Sequence, residues 1–286
     1  MEEKRKLEKG IDYLDYSDEE SFKSFNKKKW YINDLIEVPL PDPQVLYYDG
    51  IYYIVGTCDR NISVIDCYTT KDFIEFEHHK EIYNPSMYNG WEANKPAIFA
   101  PEMYEFNNKF YLYYSAKDKY GIRRMSVVIS DNPLGPYQPI ITEDIDGLNN
   151  PLFAFENRNA LDATIFKDDD NLYMYYVVEG VPQYILGVQL LNPYTALPDT
   201  IKELVKPGFI DSTFSEKGLY WEEFRNNDYK IAEAPFMLKS NGKYYLTYSV
   251  NGCWNKFYNV CYAVSDFPLG NFIKPYEEGK IWTNLL

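Results

Sequence analysis

The sequence has little positive charge and no long apolar run. Lysine and arginine together number 29, against 43 aspartates and glutamates, which gives a formal net charge of -14. Nucleic acids and anionic membranes bind cationic surfaces, so this balance excludes both as expected partners and leaves a neutral ligand acceptable. No segment approaches the ~18 consecutive apolar residues of a membrane span.

The N-terminal segment also lacks the apolar stretch of a secretory signal. Four cysteines, Cys58, Cys67, Cys253 and Cys261, stand at no spacing typical of a metal site. A chain of 286 residues is large enough to be stable without disulfides. We therefore expect a cytoplasmic protein with reduced thiols, and export of a mature form by another route stays open.

Aromatic residues, in contrast, are abundant. They make up 18% of the chain, and 29 residues are tyrosines. Most of them stand in short stretches that alternate aromatic and other residues and that end at Gly, Pro, Asn or Asp. This pattern is typical of many short, half-buried strands and not of a helical bundle.

One strand–turn–strand unit occurs four times along the chain. Each copy has a strand, a polar turn of Asp, Asn or Gly, and then an aromatic strand. The four copies are Val45–Gly56, Met103–Ala116, Ile165–Val178 and Phe236–Val250. The segments that follow two of the copies end almost identically, in SDNPLGPY and SDFPLGNF.

Four antiparallel strands per unit, repeated around a channel, describe a β-propeller. We predict an all-β propeller of four-stranded antiparallel blades in residues 37–286, preceded by a charged lead-in at residues 1–36. Four units fit before Leu286. Either the ring has four blades, or a fifth blade is missing, incomplete or built from the N-terminal residues.

An acidic residue recurs near the start of three of the four units. The spacing from the acid to the tyrosine after the turn is 11, 11 and 12 residues in the pairs Asp42–Tyr53, Asp162–Tyr173 and Glu233–Tyr245. Because the first strand of each propeller blade lines the channel, these acids are expected to converge. Taken singly, the acids have simpler explanations: turn formation for Asp42, capping or blade bridging for Asp162, and a solvated strand end for Glu233.

Several carboxyl groups in one concavity have separated pKa values, because burial and like charge oppose ionisation. One protonated acid and one ionised base are the pair that glycoside hydrolysis requires. Unit two has Ala100 at the equivalent position and Glu102 one strand period further on, deeper in the channel. We predict substrate contacts at Trp91, Glu102, Trp254 and Tyr258, with packing in the core or hairpin as an equal alternative for Trp254 and Tyr258.

These segments resemble glycoside hydrolase family 43, five-bladed propellers that include β-xylosidases, α-L-arabinofuranosidases and arabinanases. The matching pieces, in order, are PDPQVLYYDGIYY, FAPEMYEFNNKFYLYYSA, SDNPLGPY, ALDATIF, AEAPFMLKSNGKYYLTYS and SDFPLGNF. The resemblance implies inverting hydrolysis of xylosidic or arabinofuranosidic bonds in short pentose oligosaccharides. It implies Asp42 as general base, Glu233 as general acid, and Asp162 as the residue that orients Glu233 and raises its pKa.

The chain departs from the family pattern in three places. Phe99 replaces the usual Trp before Ala-Pro-Glu, and no counterpart of the family's last blade is evident. The histidine that often accompanies calcium in the family has no counterpart either, since the only histidines are His78 and His79 in unit one. We therefore predict no metal or other cofactor. A second copy or a partner chain is predicted to complete the propeller, and without one a catalytically impaired, carbohydrate-binding propeller is the alternative function.

Overall fold

A computed structural model describes residues 40–58, 63–88, 90–140, 144–145, 148–149, 158–223, 230–254 and 257–275. All of them belong to one compact unit, Pro39–Leu286. The predicted lead-in at residues 1–36 and the segment 276–286 lie outside the described residues. Within the described ranges, no helix has the length and apolar character to cross a membrane.

The described residues form four antiparallel sheets, the blades, in sequence order. Blade one has β1 (Gln44–Tyr48), β2 (Ile51–Val55), β3 (Ile65–Thr70) and β4 (Glu77–Tyr83). Blade two has β5 (Phe99–Phe106), β6 (Lys109–Lys117), β7 (Arg123–Ser130) and β8 (Gln138–Pro139). A separate two-stranded ribbon follows, with β9 (Asp144–Ile145) and β10 (Leu148–Asn149).

Blades three and four vary this plan. Blade three has β11 (Ala160–Asp168), β12 (Asn171–Val178) and β13 (Tyr184–Asn192), and both β14 (Thr195–Ala196) and β15 (Lys202–Val205) pair with β13. Blade four has β16 (Ala232–Ser240), β17 (Lys243–Val250) and β18 (Asn259–Ser265), with a bridge from Val264 to Ile273 beyond β18. Short 3-10 helices occupy Pro85–Met87, Pro198–Thr200 and Tyr220–Glu223.

The four predicted hairpins are the pairs β1–β2, β5–β6, β11–β12 and β16–β17, so the prediction of an all-β propeller with four evident blades is confirmed. Their turns use residues that accept the left-handed backbone conformation. Asp49, Asn108, Asp169 and Asn241 all have positive φ angles.

In the described part of the chain, three apolar cores lie between successive blades, because alternate residues of β6 and β12 point to opposite neighbours. In β6, Leu112 and Tyr114 pack toward blade one, and Tyr111 and Tyr113 pack toward blade three. In β12 the same alternation contributes to the cores with blades two and four, whereas β17 contributes one face, to the core with blade three. The two middle strands, β6 and β12, are apolar on both faces because each is covered on both sides, which explains their nearly continuous apolar runs in the sequence.

Candidate active site

A cavity of about 580 Å³ lies where the first strands of all four blades begin. Its size suits a small ligand. All three acids predicted as catalytic line it, together with Glu102, Trp254 and Tyr258, which were predicted as substrate contacts. A second cavity of about 540 Å³ follows the same four strands further along the channel, and Glu102 lines both cavities.

A local backbone irregularity aims side chains into this cavity. The register of the first strand shifts at the same place in blades two, three and four, and each shift contains a residue with positive φ: Ala100, Asp162 and Ala234. Asp42 has the same conformation just before β1. A bulge of this kind turns a side chain out of the regular alternation of a strand.

The structural register corrects one part of the sequence alignment. The position equivalent to Asp42 and Asp162 in blade four is Ala234, because Ala234 carries the positive φ angle. Glu233 stands one residue earlier, which accounts for its spacing of 12 residues where the other two acids have 11. Glu233 still lines the cavity, but from a different backbone position.

Hydrogen bonds link these irregularities from blade to blade. The amide of Ala100 donates to Thr57 Oγ1 of blade one at 3.0 Å, and the amide of Asp162 donates to Ser115 Oγ of blade two at 3.1 Å. The amide of Ala234 donates to Asp162 Oδ2 of blade three at 3.0 Å. Because strand pairing is interrupted at each shift, these side chains satisfy backbone donors that the ladder leaves unpaired.

Asp42 is exposed and accepts a hydrogen bond from Thr57 Oγ1 at 2.6 Å. Thr57 therefore serves two partners, since the same oxygen accepts from the amide of Ala100. The negative charge of Asp42 raises the pKa of both Asp162 and Glu233. This carboxylate is thus held in one orientation at the open side of the cavity.

Asp162 and Glu233 are the more enclosed pair. Burial raises the pKa of Asp162 to about 7, with further increases from the charges of Glu233 and Asp42 and decreases from the Ala234 amide and Arg123. Burial also raises the pKa of Glu233, while hydrogen bonds from Tyr258 and Gln183 lower it. The Gln183 Nε2 to Glu233 Oε2 distance is 3.2 Å. The charges of Asp42 and Glu179 add to the increase in the pKa of Glu233.

Glu102 lies deeper and is also enclosed. Tyr104 OH donates to Glu102 Oε2 and lies 3.1 Å from Thr164 Oγ1. Burial raises the pKa of Glu102 to about 7, and the charge of Asp162 adds to the increase. Glu102 is therefore held by blade three as well as by its own strand, at the boundary of the two cavities.

The aromatic residues predicted to contact substrate fall into two groups, those that line the cavity and one that is buried in the core. Trp254 is 68% exposed at the rim of the cavity. Tyr258 also lines the cavity and hydrogen-bonds to Glu233. Trp91 is a correction: it is only 3% exposed, stacks against Tyr114 at 6.2 Å between ring centroids, and belongs to the core between blades one and two. Enclosed in this way, it presents no face to a sugar.

Several residues that line the cavity were not predicted from the sequence. Arg123, Glu179, Gln183 and Cys253 lie on second or later strands and loops, where spacing predicts no orientation toward the channel. Thr57 and Ser115, in contrast, share a detectable pattern, because a hydroxyl residue stands four positions after the aligned tyrosine in units one, two and four.

The described residues do not fit a bound calcium ion. In this part of the chain no group of three or more His, Cys, Asp or Glu side chains has a metal-binding arrangement. His78 and His79 lie on β4, far along blade one from its first strand, and contact Asp66 and Thr69 at 2.8 and 2.9 Å. We derive no catalytic step through a metal.

Two curated proteins are similar to the chain over much of its length. A β-D-galactofuranosidase of Aspergillus niger is 26% identical over 243 residues, which are 81% of this chain and 62% of that protein. A β-xylosidase of Xylanibacter ruminicola is 29% identical over 185 residues, which are 59% of this chain and 53% of that protein. The chain thus spans less than two thirds of the length of either relative.

A solved structure and a family profile extend this similarity. The crystal structure of a thermostable family-43 glycoside hydrolase superimposes with a TM-score of 0.72 and 27% identity, over 89% of this chain and 77% of that one. The profile described as glycosyl hydrolases family 43 matches residues 31–283. Since that match covers most of the chain, including all four blades and the acid-lined cavity, the protein belongs to glycosyl hydrolases family 43.

Proposed function

We propose that the protein is an inverting glycoside hydrolase that cleaves xylosidic or arabinofuranosidic bonds in short pentose oligosaccharides. The observation that carries the proposal is the meeting of Asp42, Asp162 and Glu233, from three different blades, in one cavity. Their surroundings differ in the way that acid–base catalysis needs: one carboxylate is exposed, and two carboxyls have raised pKa values.

Asp42 is the general base in this proposal. It removes a proton from a water molecule whose oxygen attacks the anomeric carbon of the sugar. Glu233 is the general acid: as the glycosidic C–O bond breaks, it gives its proton to the departing oxygen. Asp42 ends protonated and Glu233 ionised, so both return to their starting states by exchange with solvent.

Asp162 acts on Glu233 and not on the sugar. Its carboxylate accepts from the amide of Ala234, which fixes the backbone on which Glu233 stands. The pKa of Glu233 itself is raised by burial and then by the charges of Asp42 and Glu179. The hydrogen bond to Ala234 supports the part of the proposal in which Asp162 orients the acid.

Two observations bear on the choice of sugar. The names of the relatives, a β-D-galactofuranosidase and a β-xylosidase, share glycoside hydrolysis and differ in the sugar. The cavity of about 580 Å³ and the aromatic side chains Trp254 and Tyr258 at its rim suit a short, neutral sugar. Cytoplasmic location stays a prediction from the sequence.

The test compares hydrolysis of aryl β-xylosides, α-L-arabinofuranosides and β-D-galactofuranosides by the wild type, Asp42→Asn and Glu233→Gln. Loss of a general acid or base lowers kcat by about 10²–10⁴-fold. Asp266→Asn, in an exposed pair with Lys243, is the matched control and is expected to be fully active. Proton NMR should show that the sugar is first released with the anomeric configuration opposite to that of the substrate. Release with the same configuration would overturn the inverting mechanism.

A carbohydrate-binding propeller with impaired catalysis is the second candidate. Exposed apolar side chains on the first strands of blades one and four favour it: Val45 and Tyr47 on β1, and Phe236 and Leu238 on β16. A second copy or a partner chain that covers them would complete the channel wall. This candidate predicts that the monomer binds sugar without turnover. Turnover per subunit should then rise with protein concentration as sedimentation experiments show the dimer to form.

A further inference from the structure

Arg123 is the one cationic side chain among the described residues that line the acid-containing cavity. Five acidic residues share this lining: Asp42, Glu102, Asp162, Glu179 and Glu233. The lining is therefore strongly acidic, with a single positive group in it. None of the roles assigned above to the three catalytic acids uses this arginine as a contact to the sugar.

The arginine is held firmly at both ends. Its backbone amide, at the first position of β7, donates to Asn159 Oδ1 at 2.7 Å. Its guanidinium lies over the ring of Phe99, with 4.4 Å from Cζ to the ring centroid. Stacking of this kind fixes the plane of the guanidinium, so less freedom is lost when it forms a hydrogen bond. Arg123 also covers Phe99, so a ligand on that side meets the guanidinium before the ring.

One of its donors has no partner. Arg123 Nε is buried and makes no hydrogen bond among the described residues. A buried donor without an acceptor is costly, because it has lost its hydration and gained nothing in exchange. Because Nε is closed to solvent, the donors that Arg123 can offer to a ligand in the cavity are the terminal nitrogens of its guanidinium.

We propose that Arg123 is a substrate-binding residue whose guanidinium donates a hydrogen bond to a hydroxyl group of a neutral sugar in this cavity. The inference rests on the proposed glycosidase function and adds a contact to it. A neutral hydroxyl is favoured over a carboxylate as the acceptor because an anionic sugar would be repelled by the surrounding acidic residues. The positive charge of Arg123 also lowers the pKa of Asp162, so its effect on binding must be separated from its effect on that acid.

The test measures sugar binding where no turnover occurs. Xylobiose and arabinobiose are titrated calorimetrically into Asp42→Asn and into the double variants that add Arg123→Met, Arg123→Lys or Arg158→Met. Arg158 is exposed, lies outside the cavity lining and contacts Tyr184, which makes it the matched control. We expect the Kd for the better-bound sugar to rise about tenfold with Arg123→Met. Arg123→Lys keeps the charge but not the planar donor array, so it should also weaken binding, whereas Arg158→Met should not.

The same substitutions in the active enzyme separate the two possible roles. If Arg123 binds sugar, kcat/KM falls mainly through KM. If it acts only on Asp162, the pH profile moves, the Kd stays at the parent value, and the proposal is overturned. If Arg123→Met does not fold, the Arg123→Lys variant provides the test. An unchanged Kd for sugar in that variant would also overturn the proposal.

Two further outcomes are distinguishable. Hydrolysis by the wild type together with unchanged binding in both Arg123 variants would overturn this inference alone. A wild type that neither binds nor hydrolyses any of the sugars would overturn the proposed function, and this inference with it. Methyl β-glucuronide is the charged probe, and tighter binding of this probe than of xylobiose would overturn the choice of a neutral sugar.

Discussion

Asp162 Oδ2 accepts a hydrogen bond of 3.0 Å from the backbone amide of Ala234, the residue that directly follows Glu233. The contact joins blade three to blade four at the point where the first strand of blade four shifts register. One carboxylate therefore positions the backbone that carries another. This link makes Asp162 part of the support for Glu233 even where its side chain does not contact a sugar.

The pH dependence of activity tests the hydrogen bond from Gln183 to Glu233. That bond lowers the pKa of Glu233. A general acid must be protonated, so activity is lost as pH rises through its pKa. Gln183→Leu removes the donor and raises this pKa, so the basic limb of kcat/KM should move to higher pH.

Gln189→Leu is the control for that experiment, because Gln189 contacts Asn171 on the outer part of blade three. Its pH profile should match the wild type. A basic limb that stays in place, or moves to lower pH, in Gln183→Leu would contradict the assignment of that limb to Glu233.

Thr57→Val should impair both stability and activity. Thr57 donates to Asp42 at 2.6 Å and accepts from the Ala100 amide at 3.0 Å, so the substitution leaves a backbone donor unpaired. The expected loss is about 1–3 kcal/mol in the free energy of unfolding. Activity should fall because Asp42 loses the contact that orients it, and Thr57→Ser should restore much of it.

Thr200→Val provides the comparison for Thr57. Thr200 also makes two hydrogen bonds, to Leu197 O and from the Gln189 amide, at a place remote from the cavity. Urea denaturation should show a similar loss of stability there, with kcat/KM unchanged. Equal loss of activity in the two variants would argue against a specific role of Thr57.

Glu102 makes the protein less stable as pH rises. Its pKa is about 7 in the folded protein, above the ~4.3 expected when unfolded. Between these values the folded state keeps a proton that the unfolded state releases, so stability falls by up to about 1.4 kcal/mol per pH unit. Glu102→Gln removes this contribution, and its melting temperature should decline less between pH 4.5 and pH 7.5.

The exposed residue Glu77 supplies the control, since Glu77→Gln removes a carboxylate from a solvated strand. Its melting temperature should follow the wild-type curve across the same pH range. A Glu102→Gln curve that runs parallel to the wild type would show that this carboxyl is ionised in the folded protein at neutral pH.

Lys274 and Glu222 form a buried ion pair that supports blade four. Nζ of Lys274 lies 2.5 Å from Glu222 Oε2, and both side chains are almost fully enclosed. Tyr248 OH and the Gly208 amide also donate to Glu222. Lys274→Met leaves the carboxylate without its counterion, so the free energy of unfolding should fall by about 3–5 kcal/mol.

Lys109→Met breaks a surface pair with Asp131 and should cost less than about 1 kcal/mol, because water replaces the lost partner. Guanidinium denaturation of the two variants measures the difference. Comparable losses would mean that the Lys274 pair is hydrated in solution.

The residue pattern was enough to predict the four strand pairs and the entrance position of two of the acids. Alternating tyrosines with Asp, Asn and Gly turns specify hairpins locally, because side-chain direction repeats every two residues and the turn residues accept positive φ. The entrance position of Asp42 and Asp162 follows from this short-range pattern. Glu102, one strand period beyond Ala100, also lies where that pattern places it, in the channel.

The way in which these pieces meet could not be predicted, because it depends on packing between the blades. The register shift puts Ala234, and not Glu233, in the position of the other two acids. Packing between blades encloses Trp91, and cavity residues such as Gln183 and Arg123 come from later strands and loops. Each of these outcomes depends on contacts between residues that are far apart in the chain. The local alternation of residues does not predict such contacts.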